Sequence, residues 1–200
     1  MTKIAIIYYS STGHTYQLAR AIEEGAVEAG AEVRLRKVHE TAPEAMIAAN
    51  AAWKAHSEGT RDVQEATLDD LEWADGFMLG TPTRFGLPAA QLKQFIDTTG
   101  PLWMRGMLQD KAAGVFGGAG NVHGGQESTL LALQNVFYHW GAVIVPVGYT
   151  DKIQYAAGGN PYGVSFTDSR GKGVPAEKLA AGRYHGTRIT RFASLLAAGR

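Results

Sequence analysis

Ser10-Ser11-Thr12-Gly13-His14-Thr15 is the stretch of this 200-residue chain best equipped for chemistry. Hydroxyl side chains, one histidine and one glycine follow directly on the apolar run Ile4–Tyr9 and lead into a helical pattern from about Tyr16 to Ala29. A buried strand, a tight turn and a helix start in that order set hydroxyls beside free backbone N–H groups at the positive end of a helix. Such a turn binds a dianionic phosphate without Lys or Arg. An ordinary strand-to-helix turn capped by Ser and Thr has the same composition. The Gly-Lys-Ser/Thr ending of a Walker loop is absent from the chain, and the three glycines of a dinucleotide fingerprint are reduced here to Gly13.

Two other loops carry unusual chemistry. Thr81-Pro82-Thr83-Arg84-Phe85-Gly86 follows the apolar run Gly76–Gly80, and a glycine loop, Gly117 to Gly125, follows Ala112–Phe116. The elements that position them alternate. Strands are expected at Lys3–Tyr9, Glu32–Val38, Gly76–Gly80, Ala112–Phe116 and Ala142–Val147. Helices are expected at Tyr16–Ala29, Leu68–Trp73 behind a Thr67/Asp70 cap, Ala89–Thr98 with Pro88 at its start, Gln126–Trp140 and Ala176–Ala198. Residues 39–66 form an insertion with a possible helix at Glu44–His56, and residues 100–111 a loop holding Trp103. Gly148–Pro175 is a long aperiodic segment of the kind that is functional or held by a partner.

Alternating β/α units predict a single α/β domain over 1–200, a doubly wound five-stranded parallel sheet in the order 2-1-3-4-5 with helices on both faces. In that order the three unusual loops meet at the carboxyl ends of strands 1, 3 and 4, where such folds bind ligands.

Composition narrows the function. Basic and acidic residues balance at 19 each, which points away from nucleic acid and anionic membranes. No apolar run reaches the roughly 18 residues of a membrane span, and the start of the chain lacks a basic leader and cleavage site. With no cysteine there is neither disulfide nor thiolate chemistry, and a cytoplasmic location is expected. His14, His39, His56, His123 and His185 show no metal-site spacing, so no metal is expected. No G-x-S-x-G elbow supports a serine hydrolase. A phosphoryl receiver would need clustered acids where SSTGHT stands.

YYSSTGHT, GTPTRFG, the GPLW segment, GGQES and VIVPVGY together resemble the WrbA-type NAD(P)H:quinone oxidoreductases, from Lys3 to about Ala198. The resemblance implies a flavodoxin-like fold, non-covalent FMN, NAD(P)H as electron donor, two-electron reduction of quinones and a homotetramer. It assigns the FMN phosphate to Ser10, Ser11, Thr12, Gly13, His14 and Thr15. It lines the isoalloxazine ring with Pro82, Thr83, Arg84, Phe85 and Gly86 on one side. Gly118, Ala119, Gly120, Asn121, Val122, His123 and Gly124 wrap the other. His139 matches a catalytic-site histidine and Trp103 an aromatic that covers the substrate pocket. On the residues alone, Trp103 fits a subunit boundary equally well, His139 a helix end, Arg84 a solvated loop and Phe85 the core. Three departures stand out: Thr12, where the family often has an aromatic, Gly117–Ala119, where Ser and Thr are common, and the greater length of that glycine loop. Hydride transfer to FMN and then to quinone over one shared face implies ping-pong kinetics. The rival function is a flavodoxin-type electron carrier. Neutral charge and the two extra segments favour the enzyme.

Overall fold

The computed structural model describes residues 1–168 and 171–199, so positions 169 and 170 of the predicted long loop lie outside the described residues. In chain order the elements are β1 (Lys3–Tyr8), α1 (His14–Glu28), β2 (Glu32–Lys37), α2 (Glu44–Ala48), α3 (Ala51–Gly59), α4 (Leu68–Trp73), β3 (Gly76–Arg84) and β4 (Leu87–Pro88). There follow α5 (Ala90–Asp97), α6 (Gly100–Met104), β5 (Ala112–Ala119), α7 (Gln126–Trp140), β6 (Val143–Ile144), α8 (Lys152–Ala156), β7 (Val164–Thr167) and α9 (Ala176–Ala198).

The strand-then-helix alternation holds, and β2, β1, β3 and β5 pair in parallel as the central sheet. The strand count and order differ from the expectation. The sheet has seven strands with the path β2-β1-β3-β5-β6, plus β4 on β3 and β7 on β5. The place beyond β5 is shared: β6 pairs with Ala112 and Ala113, and β7 with Phe116 to Ala119. The predicted fifth strand, Ala142–Val147, is therefore only Val143–Ile144. The rest of that edge comes from the segment expected to be aperiodic, which also contains α8. A four-residue strand held by long-range pairing shows too little alternation to be legible locally. β4 is antiparallel to β3 and turns GTPTRFG into a hairpin, so Pro88 lies on a strand and α5 starts at Ala90.

Smaller differences have local causes. The helix expected at Glu44–His56 is two, because Asn50 leaves the helical region and accepts from Trp53 N at 3.0 Å, capping α3. The expected 100–111 loop contains α6, which carries Pro101 in its first turn.

Alternation along β1 divides the core. Ile4, Ile6 and Tyr8 face α1 and α9 with Leu18, Ile22, Phe116 and Ile189, whereas Ala5, Ile7 and Tyr9 face α4, α5 and α7 with Leu71, Leu92, Leu133 and Phe137. Both faces of the sheet are thus covered, as parallel strands require. α9 lies so close to α1 that a Cβ on Gly186 would come within 2.0 Å of the Ile22 carbonyl.

Candidate functional site

β1, β3 and β5 end side by side, and their three loops enclose a cleft of about 210 Å3. Ser10, Ser11, Thr12, His14 and Thr15 form one wall, Pro82, Thr83 and Arg84 a second, and Gly118, Ala119 and Gly120 a third. The first wall is the start of α1. Gly13 is its N-cap at φ 94°, a left-handed conformation that glycine adopts freely. No side chain caps α1, whose first backbone bond runs from Gln17 N to Gly13 O (2.9 Å). The Ser10 hydroxyl instead accepts from Gly13 N at 3.1 Å and braces the turn. An uncapped helix start ringed by hydroxyls fits a phosphate, whose oxygens accept from those amides.

The other two walls are tied together. Thr83 Oγ1 donates to the Gly125 carbonyl at 3.3 Å and meets the Thr129 hydroxyl, and Ser128 Oγ donates to the Gly86 carbonyl at 3.0 Å. The hairpin tip is thereby fixed to the first turn of α7. Arg84 reaches back to the phosphate loop, donating to Ser11 Oγ at 3.3 Å and to the Thr83 carbonyl at 3.1 Å.

Not every expected site residue lines this cleft. Phe85 takes a positive φ of 54° at the hairpin tip with its ring fully exposed, and Gly86 continues the tip. Val122 and His123 lie on the far side of the glycine loop, beside a wider polar cavity bordered by Asn160 and Lys178. Asn121 accepts from Gln126 Nε2 through its carbonyl (2.7 Å) and from Gly124 N (3.1 Å), which closes the loop on itself. Trp103 and His139 meet each other at the opposite end of α7, whose 15 residues span about 22 Å.

Two residues that sequence reasoning missed complete the cleft, Phe166 on β7 and Asp168 just after it. His14 Nδ1 lies 3.1 Å from Asp168 Oδ2, and its ring meets Phe166 edge-on at 6.3 Å. Phe166 also explains Gly118, where a Cβ would stand 2.3 Å from that ring. The alternation of Val164 and Phe166 is the only local signal for them, and it is too short to stand out in a glycine-rich segment. Among the described residues, no helix is long and apolar enough to cross a membrane, and no three His, Asp or Glu side chains gather as metal ligands.

The sheet order and the three walls converging at the carboxyl ends of its parallel strands define a flavodoxin-like protein with a ligand cleft. The chain belongs to the NADPH-dependent FMN reductase family, whose model matches residues 2–152. A NAD(P)H dehydrogenase (quinone) of Deinococcus radiodurans is 51% identical over 165 residues, 82% of each chain. The NAD(P)H dehydrogenase (quinone) 3 of Rhizobium meliloti is 40% identical over 211 residues, covering 100% of this chain and 96% of that one. Among solved structures, a flavodoxin, WrbA-like protein from Agrobacterium tumefaciens matches with a TM-score of 0.70 at 23% identity, over 98% of this chain and 99% of that one, which is a likeness of fold.

Proposed function

We propose that this protein is an FMN-dependent NAD(P)H:quinone oxidoreductase that reduces quinones to hydroquinones by two electrons, with ping-pong hydride transfer. The observation that carries this reading is the uncapped start of α1 opening into a cleft shared with the loops after β3 and β5. Bound FMN supplies the two-electron centre that links nicotinamide to quinone.

The chain's own residues bind, orient and shield. Ser10 to Thr15 would hold the phosphate through hydroxyls and the amides of the first turn of α1. Pro82, Thr83 and Arg84 would line one side of the ring and Gly118 to Gly120 the other, where glycine leaves main-chain N–H groups accessible. If both substrates use the same face of the ring, nicotinamide must leave before quinone enters.

Trp103 and His139 reach a cleft only if another copy presents them. We therefore assign the working unit as a homotetramer of single-domain subunits, in the cytoplasm, in which these residues complete a neighbour's pocket. The exposed apolar neighbourhood supports this: Trp103 is 54% exposed, Tyr138 71% and Met104 80%.

The test is anaerobic mixing of the FMN-loaded protein with NADPH or NADH. The yellow colour should bleach directly, return on adding a benzoquinone, and give parallel double-reciprocal lines. Bleaching only with a separate reductase would make the protein an electron carrier, and intersecting lines would remove the ping-pong order.

A further inference from the structure

The insertion after β2 bears on the phosphate loop from outside the cleft. α3 lays His56 against Gly13, so that a Cβ at Gly13 would stand 3.3 Å from His56 Nδ1 and 3.6 Å from its Cγ. The half-buried imidazole also packs on Tyr16 of α1, ring centroids 5.5 Å apart and 46° inclined. Behind it lies a cavity of about 180 Å3, and Ser10 lines both that cavity and the cleft. Neither ring nitrogen of His56 has a hydrogen-bond partner among the described residues.

The groups facing this imidazole are mostly cationic or neutral. Lys37 comes from β2, His14 and Tyr16 from α1, and Tyr8 and Tyr9 from β1; Glu40 and Glu65 line the same cavity from the insertion. Burial first, then Lys37 and His14, hold the imidazole below its ordinary value. The phosphate loop itself contains neither Lys nor Arg. Of the other basic side chains nearby, His14 Nδ1 lies 3.1 Å from Asp168, Lys37 Nζ donates to the Thr60 carbonyl (2.6 Å), and Arg84 donates to the Thr83 carbonyl (3.1 Å) and to Ser11 Oγ (3.3 Å). His56 has both ring nitrogens without a partner among the described residues, and an imidazole takes up a proton readily when an anion approaches.

Building on the FMN assignment of the cleft, we infer that His56 is a proton-uptake residue for the cofactor phosphate: binding the dianion behind Gly13 draws a proton from solvent onto this imidazole. His56 acts through the loop and is a positioning residue. A bound dianion reverses the balance that keeps the ring neutral, because an anion close by favours the charged form.

The experiment follows binding of FMN and of riboflavin, which lacks the phosphate, to FMN-depleted protein. Calorimetry at about pH 7, where the free phosphate is already almost wholly dianionic, in two buffers of different ionisation enthalpy should show proton uptake with FMN and none with riboflavin. His56→Gln should lose most of that uptake and weaken FMN binding about tenfold at about pH 6, with little change at about pH 8. His39→Gln, a histidine of the same insertion paired with Glu65, should keep it. On the wild-type chain, NMR of the assigned His56 ring should show its titration moving up with FMN and staying put with riboflavin, a measurement independent of whether the variant folds. FMN binding with the ring titration unmoved, or undiminished uptake in His56→Gln, overturns the role of His56 alone. No FMN binding by the wild-type protein overturns the cofactor assignment itself.

Discussion

Trp103 donates its indole N–H to the backbone carbonyl of His139 at 2.9 Å, joining α6 to the last turn of α7. The two residues thus form one surface unit at the end of α7 remote from the cleft. Trp103→Ala should lower quinone kcat/KM by at least about tenfold, as expected when a large interface aromatic is removed. In the same variant, light scattering should show the proposed tetramer dissociating. A monomeric wild-type protein with full quinone turnover would remove the shared pocket.

Thr15 lines the cleft from the first turn of α1 and is almost fully buried. Thr15→Val keeps the shape and deletes the hydroxyl. A hydrogen bond to a charged group is worth about 1.5–3 kcal/mol. The FMN dissociation constant should therefore rise about 10- to 100-fold, measured by flavin fluorescence, with riboflavin binding unchanged. Equal losses for both flavins would place the effect in packing.

Glu40 anchors the insertion. Its carboxylate accepts from Tyr9 OH (2.9 Å), Gln91 Nε2 (2.9 Å), Ala42 N (2.9 Å) and Trp53 Nε1 (3.2 Å). Burial alone would raise this carboxyl, but the Ala42, Gln91, Tyr9 and Trp53 hydrogen bonds bring it below 4.5. A lowered carboxyl contributes stability that is complete above 4.5 and lost as pH falls through the folded value. Glu40→Leu leaves these donors without their acceptor, at about 1–3 kcal/mol. Hydrogen exchange across residues 39–66 should accelerate about tenfold or more while the amides of α9 stay protected. Unchanged exchange in 39–66 would dismiss Glu40 as the anchor.

His185 sets an acid limit. The ring is wholly buried against the sheet, with Nε2 3.1 Å from the Val145 carbonyl and Nδ1 without a partner among the described residues. Burial pushes it down to about 4 from an ordinary 6.5, against the Val145 hydrogen bond and with help from Arg188. The unfolded chain binds a proton as pH drops below 6.5, and the folded chain does not until about 4. The stability tied to the neutral ring is therefore whole above 6.5 and declines between 6.5 and 4. The decline is at most about 1.4 kcal/mol per pH unit. Urea midpoints of the wild type should fall more steeply over that window than those of His185→Gln. Parallel curves would acquit His185.

The α/β class, the strand–turn–helix start of the chain and the three converging loops were legible because each has a local physical signature. Apolar runs such as Ile4–Tyr9 mark buried strands, hydroxyls before a helical pattern mark an anion-binding turn, and Gly30 and Gly141 mark helix ends. The unbroken apolar run Ile4–Tyr9 and the alternating β/α units also foretold a sheet covered on both faces, which the two core clusters fill. Contacts between residues far apart in the chain leave no such signature. Only the tertiary structure placed β7 beside β5, brought Asp168 to His14 across the cleft and set His56 behind Gly13. It also put Trp103 and His139 at the far end of α7, because a helix carries its last turn away from its first by its own rise per residue.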